Sequence, residues 1–133
     1  MEKYLPDTNI CIFLLKGKYN LNVKLKQVGL QNCYVSEITL EELKFEAEYG
    51  NRVSENTEMV DCFAQELAIV PIFNSLNIYA KQKAPLRKSG KILDDFDLLI
   101  GATAIANNLT PVTENEKHLA RMSKINMENW IIR

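Results

Sequence analysis

Lys3-Tyr4-Leu5-Pro6-Asp7-Thr8-Asn9 joins a short apolar run to an acid, two small polar residues and the helix-like stretch 10–15. A first strand hands over to a first helix in this way in α/β proteins. In open parallel sheets, ligands gather beyond the carboxyl ends of the strands, where Asp7 falls. Thr8 or Asn9 can cap the following helix, because their side chains accept hydrogen bonds from its free N–H groups. Pro6 lacks a ladder donor and belongs at a strand end or edge. By itself Asp7 reads equally well as a turn or cap residue, so the rest of the chain has to decide.

The remaining chain alternates strands with helices. Residues 10–16 read as a helix stopped by Gly17, and 20–28 as a second stopped by Gly29. A buried strand is expected at 33–36. Ser36 or Thr39 then opens a helix to 49, with Leu40, Leu43 and Ala47 on its apolar stripe. Another helix covers 52–67, and Pro71 closes a third strand at 68–72. A helix starting at 74 meets Pro85, and Ser89-Gly90 is a break. The buried-looking helix 94–107, a fourth strand at 109–112, a short helix at 116–122 and a fifth strand at 130–132 complete the order. This alternation predicts an α/β fold with a parallel sheet covered on both faces.

The 133 residues make room for one domain over 1–133, and 47% hydrophobic with 25% charged residues excludes a disordered chain. No apolar run reaches the ~20 residues of a membrane span, and no signal peptide is expected. Cys11, Cys33 and Cys62 form no Cys-x-x-Cys pair. They read as reduced, mostly buried thiols of a cytoplasmic protein, with neither a zinc site nor a disulfide frame. Net charge of −1 names no partner. Acids crowd into 37–66, whereas 67–93 has none and carries Lys81, Lys83, Arg87, Lys88 and Lys91. That basic segment reads either as RNA-phosphate contacts or as a solvated helix face.

Three acids have two readings each. Asp97 falls in the first turn of an otherwise apolar helix, where Asp94 and Asp95 already suit the positive end of the helix dipole. Gly101 lies four residues on, and an acid beside a glycine notch suggests a pocket wall. Glu42 fits a capping box with Thr39, and equally projects beyond the sheet edge that carries Asp7. In a parallel sheet Asp7, Glu42, Asp97 and the segment Thr113-Glu114-Asn115 converge on one side. Carboxylates about 4 Å apart repel by roughly 4 kcal/mol per pair at an effective dielectric of 20. A shared proton or a cation relieves that repulsion. Hard oxygen donors without His or Cys suit Mg²⁺ or Mn²⁺, and the chemistry that follows is metal-assisted phosphodiester hydrolysis.

Tyr4-Leu5-Pro6-Asp7-Thr8-Asn9, Ile38-Thr39-Leu40-Glu41-Glu42-Leu43, Asp97-Leu98-Leu99-Ile100-Gly101-Ala102 and Val112-Thr113-Glu114-Asn115 together resemble the four motifs of PIN-domain ribonucleases, VapC-type toxins in particular. The resemblance runs from residue 1 to Trp130. It implies a three-layer α/β/α sandwich with a central parallel five-stranded sheet and a Mg²⁺- or Mn²⁺-dependent endoribonuclease. It also implies homodimerisation and inhibition by a cognate antitoxin. The implied ligands are Asp7, Glu42 and Asp97, with Asn115 at the fourth position and Thr8, Asn9, Ser36 and Thr113 as supporting polar groups.

The chain departs from the family where an aspartate is common at Asn115, and where an acid is usual at His118. Glu114 is an additional acid that compensates for Asn115 or faces solvent, and His118 reads as an exposed residue of a short surface helix.

A carboxylate cluster also invites an arginine from a basic-tailed inhibitor. Helices around 43–67, with Phe45, Tyr49 and Phe63 beside a dense acidic face, are the expected landing surface. Two alternatives remain: a catalytically silent PIN-fold binding module, and an aspartate-dependent phosphatase using Asp7. The latter usually needs a second acid two residues on, and Asn9 occupies that place. A dinucleotide site is excluded because no glycine-rich turn follows the first strand.

Overall fold

In the computed structural model, which describes residues 2–123 and 125–133, β1 (Tyr4–Pro6) pairs in parallel with a later strand at Thr110–Val112. The bonds of this pairing run through Lys3, Asp7, Thr110 and Val112, so Pro6 and Pro111, which lack donors, fall at positions that point away from it. Its last bond runs from the Asp7 N–H to the Val112 carbonyl at 2.9 Å. β2 (Tyr34–Ser36) and β3 (Ala68–Val70) form a second parallel pair. A single parallel bridge, Tyr4 to Cys33, joins the two.

Helices make every crossover. α1 (Thr8–Leu15) and α2 (Leu21–Val28) lead from β1 to β2, and α3 (Glu37–Tyr49) and α4 (Val53–Glu66) lead on to β3. α5 (Leu76–Lys88) and α6 (Asp95–Ala106) precede β4 (Thr110–Val112), and α7 (Glu116–Leu119) follows it. The spatial order is β3-β2-β1-β4, so the winding direction reverses between β1 and β4. Side chains alternate across the strands as the pleat requires. Leu5 and Val70 pack with Ile100 and Ala104 of α6, whereas Val35 and Val112 pack with Ile10, Leu43 and Val60 from α1, α3 and α4. Both faces are covered.

Several sequence expectations need correction. No strand forms at 130–132: the Asn129 side chain accepts from the Ile131 N–H at 2.9 Å, a local turn that competes with a ladder. Trp130 instead sets its ring edge-on to Tyr4, 5.2 Å between centroids. The parallel contact lies upstream, where Glu128 bridges Val112. The strands are therefore four, in two small sheets, among the described residues. The helix that meets Pro85 does not end there. Pro85 is exposed inside α5, where the carbonyl it leaves without a donor reaches solvent. Cys11 and Cys33 are buried as expected, but Cys62 is exposed. No described helix is long and apolar enough to cross a membrane.

Gly101 has a packing reason and does not form a pocket wall. A Cβ there would collide with the Met122 sulfur, 3.0 Å from its Cε and 3.3 Å from Ile125 Cδ1. Gly101→Ala is expected to lower stability by about 1–3 kcal/mol through overpacking, measured by thermal unfolding. An unchanged melting temperature would mean that Met122 swings aside without cost.

Candidate active site

The reversal between β1 and β4 opens a crevice beyond their carboxyl ends, and the chain puts polar groups there from both sides. Asp7 follows β1 and is the N-cap of α1, its Oδ1 accepting from the Ile10 N–H at 3.0 Å. Asp7 is therefore a helix cap, as one reading had it, and its side chain also lines a pocket. Thr113 follows β4, is buried, and lies close enough for its hydroxyl to lower the Asp7 pKa. Its oxygen in turn accepts from the Asn115 N–H at 2.9 Å. Asp97, in the first turn of α6, completes the enclosure. Asp7, Asp97, Thr113 and Asn115 line one pocket of about 10 Å³, floored by Ile100, Pro111 and Leu119. That is room for about one water-sized sphere.

Glu42 stands beside this pocket, outside its lining. Its Oε1 accepts from the Thr8 hydroxyl at 2.5 Å, and Thr8 meets the fully buried Thr39 hydroxyl at 3.1 Å. This Thr39–Thr8–Glu42 chain replaces the capping box expected for Glu42, because Ser36 already caps α3 through the Ile38 N–H at 3.1 Å. Ser36 is thus a buried cap. The Asn9 backbone helps to lower the Asp7 pKa, while the residue itself is exposed.

Electrostatics tie the acids together. Burial raises the pKa of Asp7, with Thr113 and two backbone N–H groups pulling it down and the charge of Asp97 pushing it up. Glu42 and Asp97 are raised as well, by burial first and then by neighbouring acids. Asp94 acts on both of them, so it belongs to the acidic neighbourhood although the sequence explained it as a cap. It is also that cap, accepting from the Phe96 N–H at 2.9 Å. Thr39 was missed too. Its place three residues before Glu42 puts the two on one helix face, a signal legible only once Thr8 is known to lie opposite.

The remaining candidates divide. Glu114 points away from the pocket into a two-bonded pair with Arg133, at 2.5 and 3.0 Å, and the pair holds its pKa down. It does not substitute for a missing ligand. His118 is exposed on α7 as expected, yet its Nδ1 bonds the Asn115 side-chain oxygen and its charge lowers the Asp97 pKa. Lys83 is committed to Asp95 and to the Tyr79 hydroxyl, both at 2.8 Å. Lys81, Arg87, Lys88 and Lys91 are exposed along α5 and its exit.

The donor set tests what cation would fit. Among the described residues no three His, Cys, Asp or Glu side chains come close enough to hold one ion together. Two carboxylates in a small hydroxyl- and amide-lined pocket suit a hard cation that keeps several waters and completes its shell with phosphate oxygens.

Residues 4–125 match the PIN domain family. Among curated relatives, the ribonuclease VapC2 of Rickettsia felis is 30% identical over 131 residues, covering 96% of this chain and 97% of the relative. The tRNA(fMet)-specific endonuclease VapC of Salmonella typhimurium is 29% identical, covering 98% and 99%. Among solved structures, a crystal structure of DNA-bound VapBC from Salmonella typhimurium superposes with a TM-score of 0.90 at 27% identity, covering 98% of this chain and 99% of that one.

Proposed function

The chain belongs to the PIN-domain family, and from that premise we propose that it is an endoribonuclease, the toxin of a VapBC-type toxin–antitoxin pair. The observation that carries the reading is the convergence of Asp7 and Asp97 on one pocket at the winding reversal of the sheet. The Salmonella relative acts on tRNA(fMet), so a structured tRNA is the first substrate to test. We read the protein as a cytoplasmic homodimer. The Glu128 bridge supports reading the segment around it as the fifth parallel strand of a complete central sheet.

Asp7 and Asp97 would hold a Mg²⁺ or Mn²⁺ ion, with Glu42 and Asn115 at its margin. When bound, the cation supplies an activated water and charge compensation at the cleaved phosphodiester. Thr113 favours the ionised form of Asp7, and Thr8, backed by Thr39, orients Glu42. The amino ends of α1 and α6 face the same crevice and favour the substrate's phosphate. His118 fixes the Asn115 amide, because an amide oxygen only accepts and the ring Nδ1 must therefore donate.

Adding Mn²⁺ is expected to raise the melting temperature. A ligand at 100 times its dissociation constant adds about 2.7 kcal/mol to stability. Asp97→Asn should remove that response while leaving the metal-free protein as stable as before or more so at neutral pH. The sign follows from the raised folded-state values of Asp7, Glu42 and Asp97. Their protonated forms contribute stability that is fully present below the ordinary values of 3.8 for Asp and 4.5 for Glu. That contribution is lost as pH rises through the higher folded values. Acidification from neutral should therefore stabilise the metal-free protein through these groups and abolish the Mn²⁺ response. Unfolding of Asp97→Asn at neutral pH would make Asp97 a structural cap.

The basic exit of α5 lies just before Asp94 in the chain, and so near the pocket. Changing Arg87 and Lys88 together to Ala should weaken RNA binding and flatten its dependence on salt by about one to two units of slope. An unchanged slope would reduce the segment to a solvated surface.

A further inference from the structure

Between α5 and the start of α6 lies a second cleft of about 190 Å³, apart from the catalytic pocket. Resting on the ribonuclease reading, we infer that this cleft is a base-binding subsite that selects guanine in the RNA next to the cleaved bond. Its inner surface is apolar: Leu86, Leu93 and Leu98 are buried there, while Ile92 stands 76% exposed at the mouth. The volume is below the ~300 Å³ where pockets for drug-sized ligands begin, which suits one planar base and excludes a whole nucleotide.

The polar rim decides what enters. Lys83 and Asp95 neutralise one another, with Tyr79 closing the triad at 2.8 and 3.0 Å, so neither has a free charge to offer. Two groups remain. The Arg87 guanidinium makes no hydrogen bond or ion pair among the described residues. Asp94 spends one oxygen on the Phe96 N–H and keeps the other. A phosphate would meet Asp94, and a cationic side chain would meet Arg87, so both are disfavoured. A neutral ring with an acceptor edge and a donor edge satisfies the pair. Guanine has both: O6 and N7 match the planar fork of an arginine, and its N1–H and N2–H₂ match a carboxylate. Adenine places an amino group where Arg87 needs an acceptor.

The cleft is held in shape from both ends. Arg121 Nη1 bonds the Ile92 carbonyl at 2.6 Å, and the Asp94 cap fixes the first turn of α6. It is also joined to the catalytic pocket by the shortest possible route. Asp94 and Asp97 are three residues apart, at the N-cap and in the first turn of one helix. A strand whose phosphate lies at Asp97 therefore brings an adjacent base to Asp94.

The test separates base binding from cleavage. The full chain, kept in EDTA, is titrated with GMP, IMP, AMP, CMP and UMP while amide NMR shifts are followed. GMP is expected to bind about tenfold or more tighter than AMP, with IMP, which lacks the 2-amino group, between them. Shifts should map to α5 and the first turn of α6. Arg87→Lys keeps the charge but loses the fork, and Asp94→Asn keeps an equally good cap but loses the carboxylate. Each should erase most of the guanine preference without lowering the melting temperature. Equal affinity for all five nucleotides, no saturable binding, or a preference that survives both variants overturns the subsite. Because the binding titration contains no divalent ion and cleavage is assayed separately with Mn²⁺, RNA cleavage without guanine preference in binding defeats the subsite alone. Guanine binding without any RNA cleavage defeats the ribonuclease reading alone.

Discussion

Asp7→Asn is expected to lower metal-dependent RNA cleavage by about 10²–10³-fold, the scale lost when one preorganised electrostatic group is removed from a reacting centre. Two properties make the substitution informative. Asparagine has the same shape and caps a helix as well as aspartate does, so the bond from the Ile10 N–H at 3.0 Å survives. Burial and the charge of Asp97 both hold the Asp7 pKa up, so removing its charge relieves the fold at neutral pH. Lost activity then cannot be attributed to unfolding, provided the melting temperature holds or rises. Full activity in Asp7→Asn would remove this acid from the chemistry. A large drop in melting temperature would show that the α1 cap needs the Asp7 charge and that Asp7 is mainly structural.

The sequence made the acids at the strand ends legible because a strand that ends in a polar residue and is followed by a helix has few other meanings. Asp7, Asp97, Thr113 and Asn115 meet for that reason: parallel strands bring their carboxyl ends to one edge, and α6 begins at the same edge. What periodicity could not reveal were pairings between distant side chains. Thr39 and Thr8 are 31 positions apart, and Glu114 and Arg133 are 19 apart. The second pair removed Glu114 from the site, and nothing around Glu114 in the chain signals that. The helix boundary at Ser36 was ambiguous between two capping residues, and the choice mattered, since it turned Glu42 from a cap into a partner of Thr8. A strand does not form at 130–132 for a local reason, the Asn129 turn, which outweighs the β-favouring Trp130 and two isoleucines that follow. Phe63 was expected on a partner-facing surface but is 6% exposed, because α4 turns it into the core with Val60.

On the proposed toxin reading, loss of both pocket acids is expected to weaken binding of the inhibitor as well as catalysis. A cluster of carboxylates whose charge is disfavoured by burial gains from a cation, and an arginine from an inhibitor can bond two oxygens at once. The helices that Asp7 caps and that carry Glu42 also present a surface suited to a helical or extended tail. A groove of about 380 Å³ runs between α1, α3 and α4, with Leu15, Ala47 and Met59 on its walls and Glu46 at its rim. Phe45 and Tyr49 stack on each other at 5.6 Å nearby, 58% and 79% exposed. A tail anchored by apolar side chains in this groove could reach the acids with a basic residue. In the Asp7→Ala, Asp97→Ala double variant that residue loses its partners, which costs about 2–5 kcal/mol, or roughly 30-fold and upward in dissociation constant. The measurement is capture of the inhibitor from the native host, followed by titration of Mg²⁺ against the complex. Mg²⁺ should compete with the inhibitor on the wild type and have no effect on the double variant. Met59→Lys should weaken capture without changing the Mg²⁺ sensitivity of what still binds, which separates docking in the groove from contact with the acids. If wild type and double variant bind the inhibitor equally well, the acids are not its target. Inhibition would then have to act by covering the RNA path beside α5.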